Sequence, residues 1–173
     1  MSQMIQHPLP HHDSRPADTV IDTIVIHSMY TPDAKDPCDP LACLALLDAN
    51  RVSPHYSIDR NGIIYQSVDE ARRAWHAGVS RMPFKDDARE NVNHFSIGIE
   101  LIATLTSGFS DLQYHACADL CREICSRHPI RSIVGHDQIA PGRKTDPGEN
   151  FDWQRFREAL KDSGVGLDVV RFL

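Results

Sequence analysis

The sequence predicts an α/β fold, a single domain in which helices flank a central mixed β-sheet. Three observations support this prediction. Short apolar segments at 19–26 and 95–101 are typical of buried strands. An Asn-Gly pair at positions 61 and 62 separates two further strand-like segments, as in a tight hairpin. Helix-start residues at Asp39 and Ser110 follow the strands, and this alternation favours crossover connections.

The first strand and the first helix are predicted from β-branched residues and from a capping signal. Residues 19–26, TVIDTIVI, are rich in β-branched side chains and short enough for a buried strand, which ends at His27. The proline- and aspartate-rich residues 30–40 predict a loop. Asp39 followed by Pro40 then predicts the start of a helix over LACLALLDAN. That helix should pack on the sheet.

A hairpin and a long loop occupy the middle of the chain. Residues 56–59 and 63–67 flank the turn residues 60–62, so we expect two antiparallel strands there. The following stretch, up to the charged residues 85–90, has no clear period and predicts a loop. Long loops often carry binding residues.

The next two elements are a central strand and a long helix. Residues 95–101, FSIGIEL, predict a strand that brings Glu100 near its C-terminal end, and Gly98 within it permits close approach of another group. Ser110 predicts the cap of a helix that runs to about His128. Its predicted inner face comprises Leu112, Cys117, Leu120, Cys121 and Ile124.

The C-terminal part predicts a short strand, a loop and a last helix. Ile133 and Val134 lead to His136, and a proline- and glycine-rich loop follows. Asp152 predicts the start of a terminal helix, WQRFREALKD. We expect residues 1–18 to form an N-terminal tail and residues 19–173 to form the domain.

Composition and charge exclude several partners. Apolar and charged fractions of 41% and 24% are ordinary for a globular protein, which makes disorder a poor fit. A net charge of −6 provides no general attraction to nucleic acid or to an anionic membrane. We find no signal-peptide pattern and no apolar stretch long enough for a membrane span. Five cysteines, three of them four residues apart on one helix, favour buried reduced thiols and a cytoplasmic location. We expect the protein to be a monomer.

Three residues could hold a metal ion. His27 and His136 each follow a strand, and Asp146 lies ten residues further on in a loop that can turn back. Two imidazoles and one carboxylate form the three-ligand set of catalytic zinc sites, which keep a fourth position for water. Ten histidines offer many other trios, so the spacing alone does not decide between ligands and hydrogen-bonded core residues.

Local sequence motifs narrow the choice. The segments IVIHS, HYSIDRNG, RRAWHAG, FSIGIEL, GHDQIAPGRKTDPG and FDW follow one another in the order seen in zinc-dependent N-acetylmuramoyl-L-alanine amidases, and they span roughly residues 20–156. The chain resembles this family, and it is similar to phage lysozymes of the amidase type and to peptidoglycan recognition proteins. The GHDQIAPGRKTDPG segment is the most specific, since it combines a histidine, a lysine and an aspartate at fixed spacing.

The resemblance implies roles for individual residues. His27, His136 and Asp146 match the ligands of one Zn²⁺ ion. Glu100 matches the acid that activates water, and Lys144 matches the cation that stabilises the developing oxyanion.

Four more residues are candidates for binding substrate: His55, Trp75, His76 and Arg143. Trp75 would either stack on a sugar ring or fill the core, and His76 would either bind substrate or orient a neighbour. Arg143 would hold a carboxylate of the stem peptide with two hydrogen bonds.

The resemblance is strongest to the cytoplasmic branch that cleaves 1,6-anhydro-muramoyl peptides at L-alanine during cell-wall recycling. Two alternatives remain. One is a lytic or secreted amidase that acts on intact peptidoglycan, and the other is a protein that binds muropeptides without cutting them.

Overall fold

The computed structural model describes residues 3–161 and 170–173. In chain order its elements are β1 Met4–Gln6, β2 His12–Ser14, β3 Thr23–Met29, α1 Pro40–Ala49, β4 Tyr56–Ile58, β5 Ile64–Gln66, β6 Arg72–Ala74, a 3-10 turn at Val92–His94, β7 Ser96–Ile102, α2 Asp111–Arg127, β8 Ser132–Gly135, α3 His136–Ile139 and α4 Trp153–Lys161. Asp162, the last residue of the predicted terminal helix, lies outside the described residues.

Six strands form one mixed sheet in the order β1-β5-β4-β7-β3-β8. The strands β4, β7, β3 and β8 run parallel, while β5 is antiparallel to β4 through the predicted hairpin. His27 in β3 lies directly opposite Glu100 in β7, and Ile26 lies opposite Gly135 in β8. Parallel strands end at the same edge of a sheet, so His27, Glu100 and the residue after Gly135 meet there. The predicted α/β class with a mixed sheet is confirmed.

The three longer helices begin where capping residues predict. The Asp39 carboxylate accepts a hydrogen bond from the amide of Ala42 at 2.7 Å. Ser110 and Gln113 form a reciprocal capping box at the start of α2. In α4 the Asp152 carboxylate accepts from the amide of Arg155 at 2.9 Å. Among the described residues, no helix combines the length and the apolar character that a membrane span requires.

The inner face of α2 agrees with the prediction except at its first turn. Cys117, Leu120, Cys121 and Ile124 are buried in the main core. Leu112 is 55% exposed, so its predicted core position is wrong. Helix geometry explains the difference, because position 113, not 112, lies on the stripe that continues through positions 117, 120 and 124.

Gln113 takes the inner position and uses it for hydrogen bonding. Its side-chain amide donates to the carbonyl oxygens of Ile58 at 3.1 Å and Ile102 at 2.9 Å. The fully buried amide therefore ties the ends of β4 and β7 to the helix that covers them.

The N-terminal segment is part of the sheet structure. β1 pairs in parallel with β5 at the edge of the main sheet, and β2 pairs antiparallel with β6 in a separate two-stranded sheet. Residues 4–6 and 12–14 therefore do not form the free tail expected for 1–18. Each of these strands is only three residues long, which is too short to show the alternating pattern by which a strand is recognised in a sequence. The division at residue 18 stays a prediction as a domain boundary.

Arg15, directly after β2, connects the N-terminal segment to the rest of the molecule through hydrogen bonds. Its guanidinium donates to the carbonyl oxygens of four residues, Glu70, Asn93, His94 and Ser96, at 2.7–3.2 Å. Burial lowers the pKa of Arg15 to about 10, so the group stays charged at neutral pH. One cation thus links the end of β2 to residue Glu70, to the 3-10 turn and to the start of β7.

We expect Arg15→Ala to lower the free energy of unfolding by about 2–4 kcal/mol, because partly buried carbonyl groups lose a charged donor. Urea denaturation followed by circular dichroism measures this change. Arg81→Ala is the control, since Arg81 is exposed, and its effect should stay within about 0.5 kcal/mol. Equal midpoints for the two variants would contradict the role given to Arg15.

Candidate metal centre and active site

Three side chains meet at the carboxyl end of the parallel strands. The Nδ1 atoms of His27 and His136 lie 2.9 Å apart, and the Oδ2 atom of Asp146 lies 3.2 Å from the first and 3.0 Å from the second. His27 belongs to β3, His136 begins α3 directly after β8, and Asp146 comes from the following loop. The predicted trio is therefore brought together, and its three ligand atoms all lie within 4.8 Å of one another.

The loop that carries Asp146 is folded back onto α3. The amide of Asp137 donates to the Asp146 carbonyl oxygen at 2.8 Å, and the amide of Lys144 donates to the Ala140 carbonyl oxygen at 3.0 Å. Burial opposes ionisation of the Asp146 carboxyl, but its contacts with His136 and His27 outweigh burial and hold its pKa well below the usual range. Asp146 is therefore a carboxylate.

Both histidines present Nδ1 to the centre of the trio, and their other nitrogens have partners. Nε2 of His136 lies 3.1 Å from the carbonyl oxygen of Ala77, and Nε2 of His27 lies 2.9 Å from Nδ1 of His76. A carbonyl oxygen only accepts, so Nε2 of His136 carries a proton. Burial and the neighbouring His136 lower the pKa of His27 to about 4, so this ring is neutral at physiological pH.

This donor set fits a divalent metal ion. Ligand atoms about 2.0–2.2 Å from a tetrahedral zinc ion lie roughly 3.3 Å from one another, close to the separations seen here. Two neutral imidazoles and a carboxylate suit zinc and leave a fourth position for water. Glu100 gives a second observation, because its Oε2 atom is buried and has no hydrogen-bond partner among the described residues. His27, His136 and Asp146 therefore form a candidate metal centre.

Glu100 lies beside this centre in an environment that favours its neutral form. Only 9% of the residue is exposed. Burial and the nearby Asp146 carboxylate raise the pKa of Glu100 well above its usual range, while the ammonium of Lys144 lowers it. A carboxyl group held in this way can both take up and release a proton.

The centre opens into a cleft with a volume of about 420 Å³. Trp75 lines the cleft and is 39% exposed, so the structure places it at the surface and not in the core. Arg143 and Lys144 line the cleft near Asp146. Nη2 of Arg143 donates to the carbonyl oxygens of Ala77 and Val79, both at 2.6 Å, and its other nitrogens make no hydrogen bond within the described part of the chain.

The two histidines predicted to bind substrate, His55 and His76, are both buried. His55 is fully buried, with Nδ1 accepting from the amide of Gly98 at 3.0 Å and Nε2 lying 3.1 Å from the Arg72 carbonyl oxygen. In place of a substrate contact, His55 supports β7, because both ring nitrogens are engaged. His76 borders the cleft, but its nitrogens contact His27 and Ser96.

Sequence reasoning missed the group that supports His76. The side-chain oxygen of Asn93 accepts from the amides of His76 at 3.2 Å and Ala77 at 2.8 Å. No spacing marks an asparagine in a loop as a partner of a residue 17 positions away. The predicted close approach at Gly98 does occur there, since a Cβ at this position would lie 2.5 Å from Cγ of His76.

The chain is similar to known amidases. Residues 17–149 match the family model described as N-acetylmuramoyl-L-alanine amidase. The 1,6-anhydro-N-acetylmuramyl-L-alanine amidase AmpD of Citrobacter freundii is 39% identical over 171 residues, which cover 90% of this chain and 89% of that protein. The protein of the same name from Escherichia coli K12 is 41% identical over 165 residues, covering 87% and 88%.

Solved structures agree with these matches. A crystal structure of a selenomethionine derivative of AmpD superposes with a TM-score of 0.78 at 39% identity, covering 92% of this chain and 96% of that one. Drosophila peptidoglycan recognition protein SA superposes with a TM-score of 0.63 at 16% identity, covering 93% of this chain and 92% of that one, a likeness of fold alone.

Proposed function

The chain belongs to the N-acetylmuramoyl-L-alanine amidase family, and we propose that it hydrolyses the amide bond between 1,6-anhydro-N-acetylmuramic acid and L-alanine in peptidoglycan fragments, for cell-wall recycling. The observation that carries this proposal is the convergence of His27, His136 and Asp146 next to Glu100 in an open cleft. Six relatives named 1,6-anhydro-N-acetylmuramyl-L-alanine amidase AmpD, 38–41% identical to this chain, support the choice of substrate.

We propose that His27, His136 and Asp146 hold one zinc ion. Zinc would supply Lewis-acid chemistry, lowering the pKa of a bound water to about 7 and polarising the amide carbonyl. The lowered pKa of His27, about 4, supports this ligand set, because burial and the neighbouring His136 keep the ring free of a second proton and a metal ligand must have a free lone pair.

Glu100 is the residue proposed to move protons. Its carboxylate accepts a proton as water attacks the carbonyl carbon, and the carboxylic acid then protonates the nitrogen of the departing L-alanine. The C–N bond breaks as that nitrogen becomes an amine, and the muramic acid keeps the new carboxyl group. The raised pKa of Glu100 supports the second step, since an acid must still hold its proton near neutral pH.

The remaining cleft residues are proposed to bind charge and sugar. The ammonium of Lys144 would stabilise negative charge that develops on the carbonyl oxygen. Arg143 would hold a carboxylate of the stem peptide with the guanidinium nitrogens that do not contact Ala77 and Val79. The exposed ring of Trp75 would stack on a sugar face.

A cytoplasmic location is part of this proposal. All five cysteines are unpaired, and Cys43, Cys117 and Cys121 are buried. Reduced thiols are typical of the cytoplasm.

The proposal predicts metal-dependent release of peptide from a soluble fragment. Purified protein incubated with 1,6-anhydro-N-acetylmuramoyl tripeptide should release free tripeptide, detected by mass spectrometry. Treatment with a chelator should abolish release, and adding zinc should restore it, because the zinc supplies the Lewis acid.

Intact sacculi provide the comparison that identifies the substrate. Faster cleavage of sacculi than of the soluble fragment would favour a lytic amidase. Binding of the fragment without cleavage of either substrate, with zinc present, would overturn the amidase proposal in favour of muropeptide recognition.

A further inference from the structure

One short segment contacts both histidines of the candidate metal centre from behind. Nε2 of His27 lies 2.9 Å from Nδ1 of His76, and Nε2 of His136 lies 3.1 Å from the carbonyl oxygen of Ala77. His76 and Ala77 are adjacent in the chain, whereas His27 and His136 are 109 positions apart. The two ligand rings are therefore contacted by one dipeptide, through the side chain of His76 and through the backbone oxygen of Ala77.

The segment formed by His76 and Ala77 is itself held in place. The side-chain oxygen of Asn93 accepts from both of its amides, at 3.2 and 2.8 Å. The His76 ring packs against Gly98, and its Nε2 atom lies 3.2 Å from Oγ of Ser96. Because the ring is buried and contacts β7 in this way, its position is fixed relative to the sheet that carries Glu100.

A metal ion bound at Nδ1 of His27 would select one distribution of protons along these contacts. A His27 ring that uses Nδ1 as a ligand carries its proton on Nε2 and donates it to Nδ1 of His76. His76 then carries its own proton on Nε2, where Ser96 can accept it. The carbonyl oxygen of Ala77 demands the same state of His136, with the proton on Nε2. When a metal ion occupies Nδ1 of each ring, the proton of each ring therefore lies on the nitrogen that contacts this segment.

We infer that the segment of His76 and Ala77, held by Asn93, positions both histidine ligands of the metal centre. His76 and Asn93 are positioning residues, and His76 does not bind substrate, because both of its nitrogens are engaged inside the protein. Partners of this kind raise metal affinity by fixing the tautomer and the ring orientation of a ligand. The inference depends on the proposed metal site and is independent of which substrate is cut.

Zinc affinity tests this inference without any use of activity. Competition with a chromophoric chelator gives the Kd for zinc of the full-length protein. We expect Asn93→Ala and His76→Phe to raise this Kd about 10–100-fold. Asn93→Asp keeps an oxygen that accepts from both amides, so its Kd should stay within about threefold of the unchanged protein. Asn61→Ala and His115→Phe, at exposed positions, are the matched controls.

Two further measurements separate positioning from general stability. Long-range ¹H–¹⁵N spectra of the zinc-loaded protein should show both ligand histidines protonated at Nε2, and Asn93→Ala should broaden or shift these signals. Thermal unfolding of the metal-free variants gives the Tm. A lowered Tm with an unchanged Kd in Asn93→Ala would overturn the inference. If His76→Phe does not fold, the pair Asn93→Ala and Asn93→Asp decides.

Zinc binding by the unchanged protein distinguishes the two proposals. Tight binding without cleavage of muropeptide would refute the proposed reaction and leave the positioning role standing. Absence of zinc binding would remove the metal site and this inference with it.

Discussion

Replacing Glu100 with glutamine is expected to lower kcat about 10²–10⁴-fold, the usual contribution of a general acid or base. Glutamine has nearly the same size and keeps an oxygen that accepts hydrogen bonds, but it can neither take the proton from water nor deliver it to the leaving nitrogen. The zinc Kd should stay within about threefold, since Glu100 is not among the proposed ligands. Peptide release at saturating substrate and chelator competition measure the two quantities.

Glu149→Gln is the control for this prediction, because it removes an exposed carboxylate from the loop that follows Asp146. We expect kcat to remain unchanged in that variant. Retention of more than about a tenth of kcat in Glu100→Gln would remove Glu100 from proton transfer. Loss of zinc together with activity would make Glu100 a ligand instead.

The sequence predicts the core of the fold because the relevant signals are local. β3 and β7 are recognised from runs of β-branched and apolar residues, and α2 from Ser110 together with an apolar stripe. Once β3 and β7 are parallel neighbours, His27 and Glu100 must lie at the same edge of the sheet. His27 and His136 are predicted as ligands because each follows a strand, and Asp146 because it stands in a motif with a fixed residue order.

The rest of the site depends on contacts that leave no local signal. β2 and β6 are each three residues long and lack an apolar period, so neither was predicted. Arg15 binds carbonyl oxygens, which every residue type possesses. His136 likewise contacts a backbone oxygen, that of Ala77. The segment of His76 and Ala77 is held by Asn93, an asparagine that no sequence pattern marks.

Replacing His136 with alanine is expected to abolish both zinc binding and turnover. One of three protein ligands is lost, and each ligand accounts for a substantial part of the roughly 10–16 kcal/mol that protein ligands contribute at structural zinc sites. We therefore expect the zinc Kd to rise at least about 10²–10³-fold. Chelator competition measures that rise, and peptide release at equimolar zinc should become undetectable.

The response of His136→Ala to zinc should differ from that of Glu100→Gln. The two side chains lie at the same sheet edge, but His136 is proposed to bind the metal and Glu100 to transfer protons. Zinc at about 100 times its Kd stabilises a folded protein by about 2.7 kcal/mol, so zinc should raise the Tm of Glu100→Gln and leave that of His136→Ala almost unchanged. His115→Ala, on the exposed side of α2, should behave as the unchanged protein does. A His136→Ala variant whose Tm still rises with equimolar zinc would place the metal elsewhere. In that case His27 and Asp146 would be a hydrogen-bonded pair and Glu100 would have to act without a neighbouring Lewis acid.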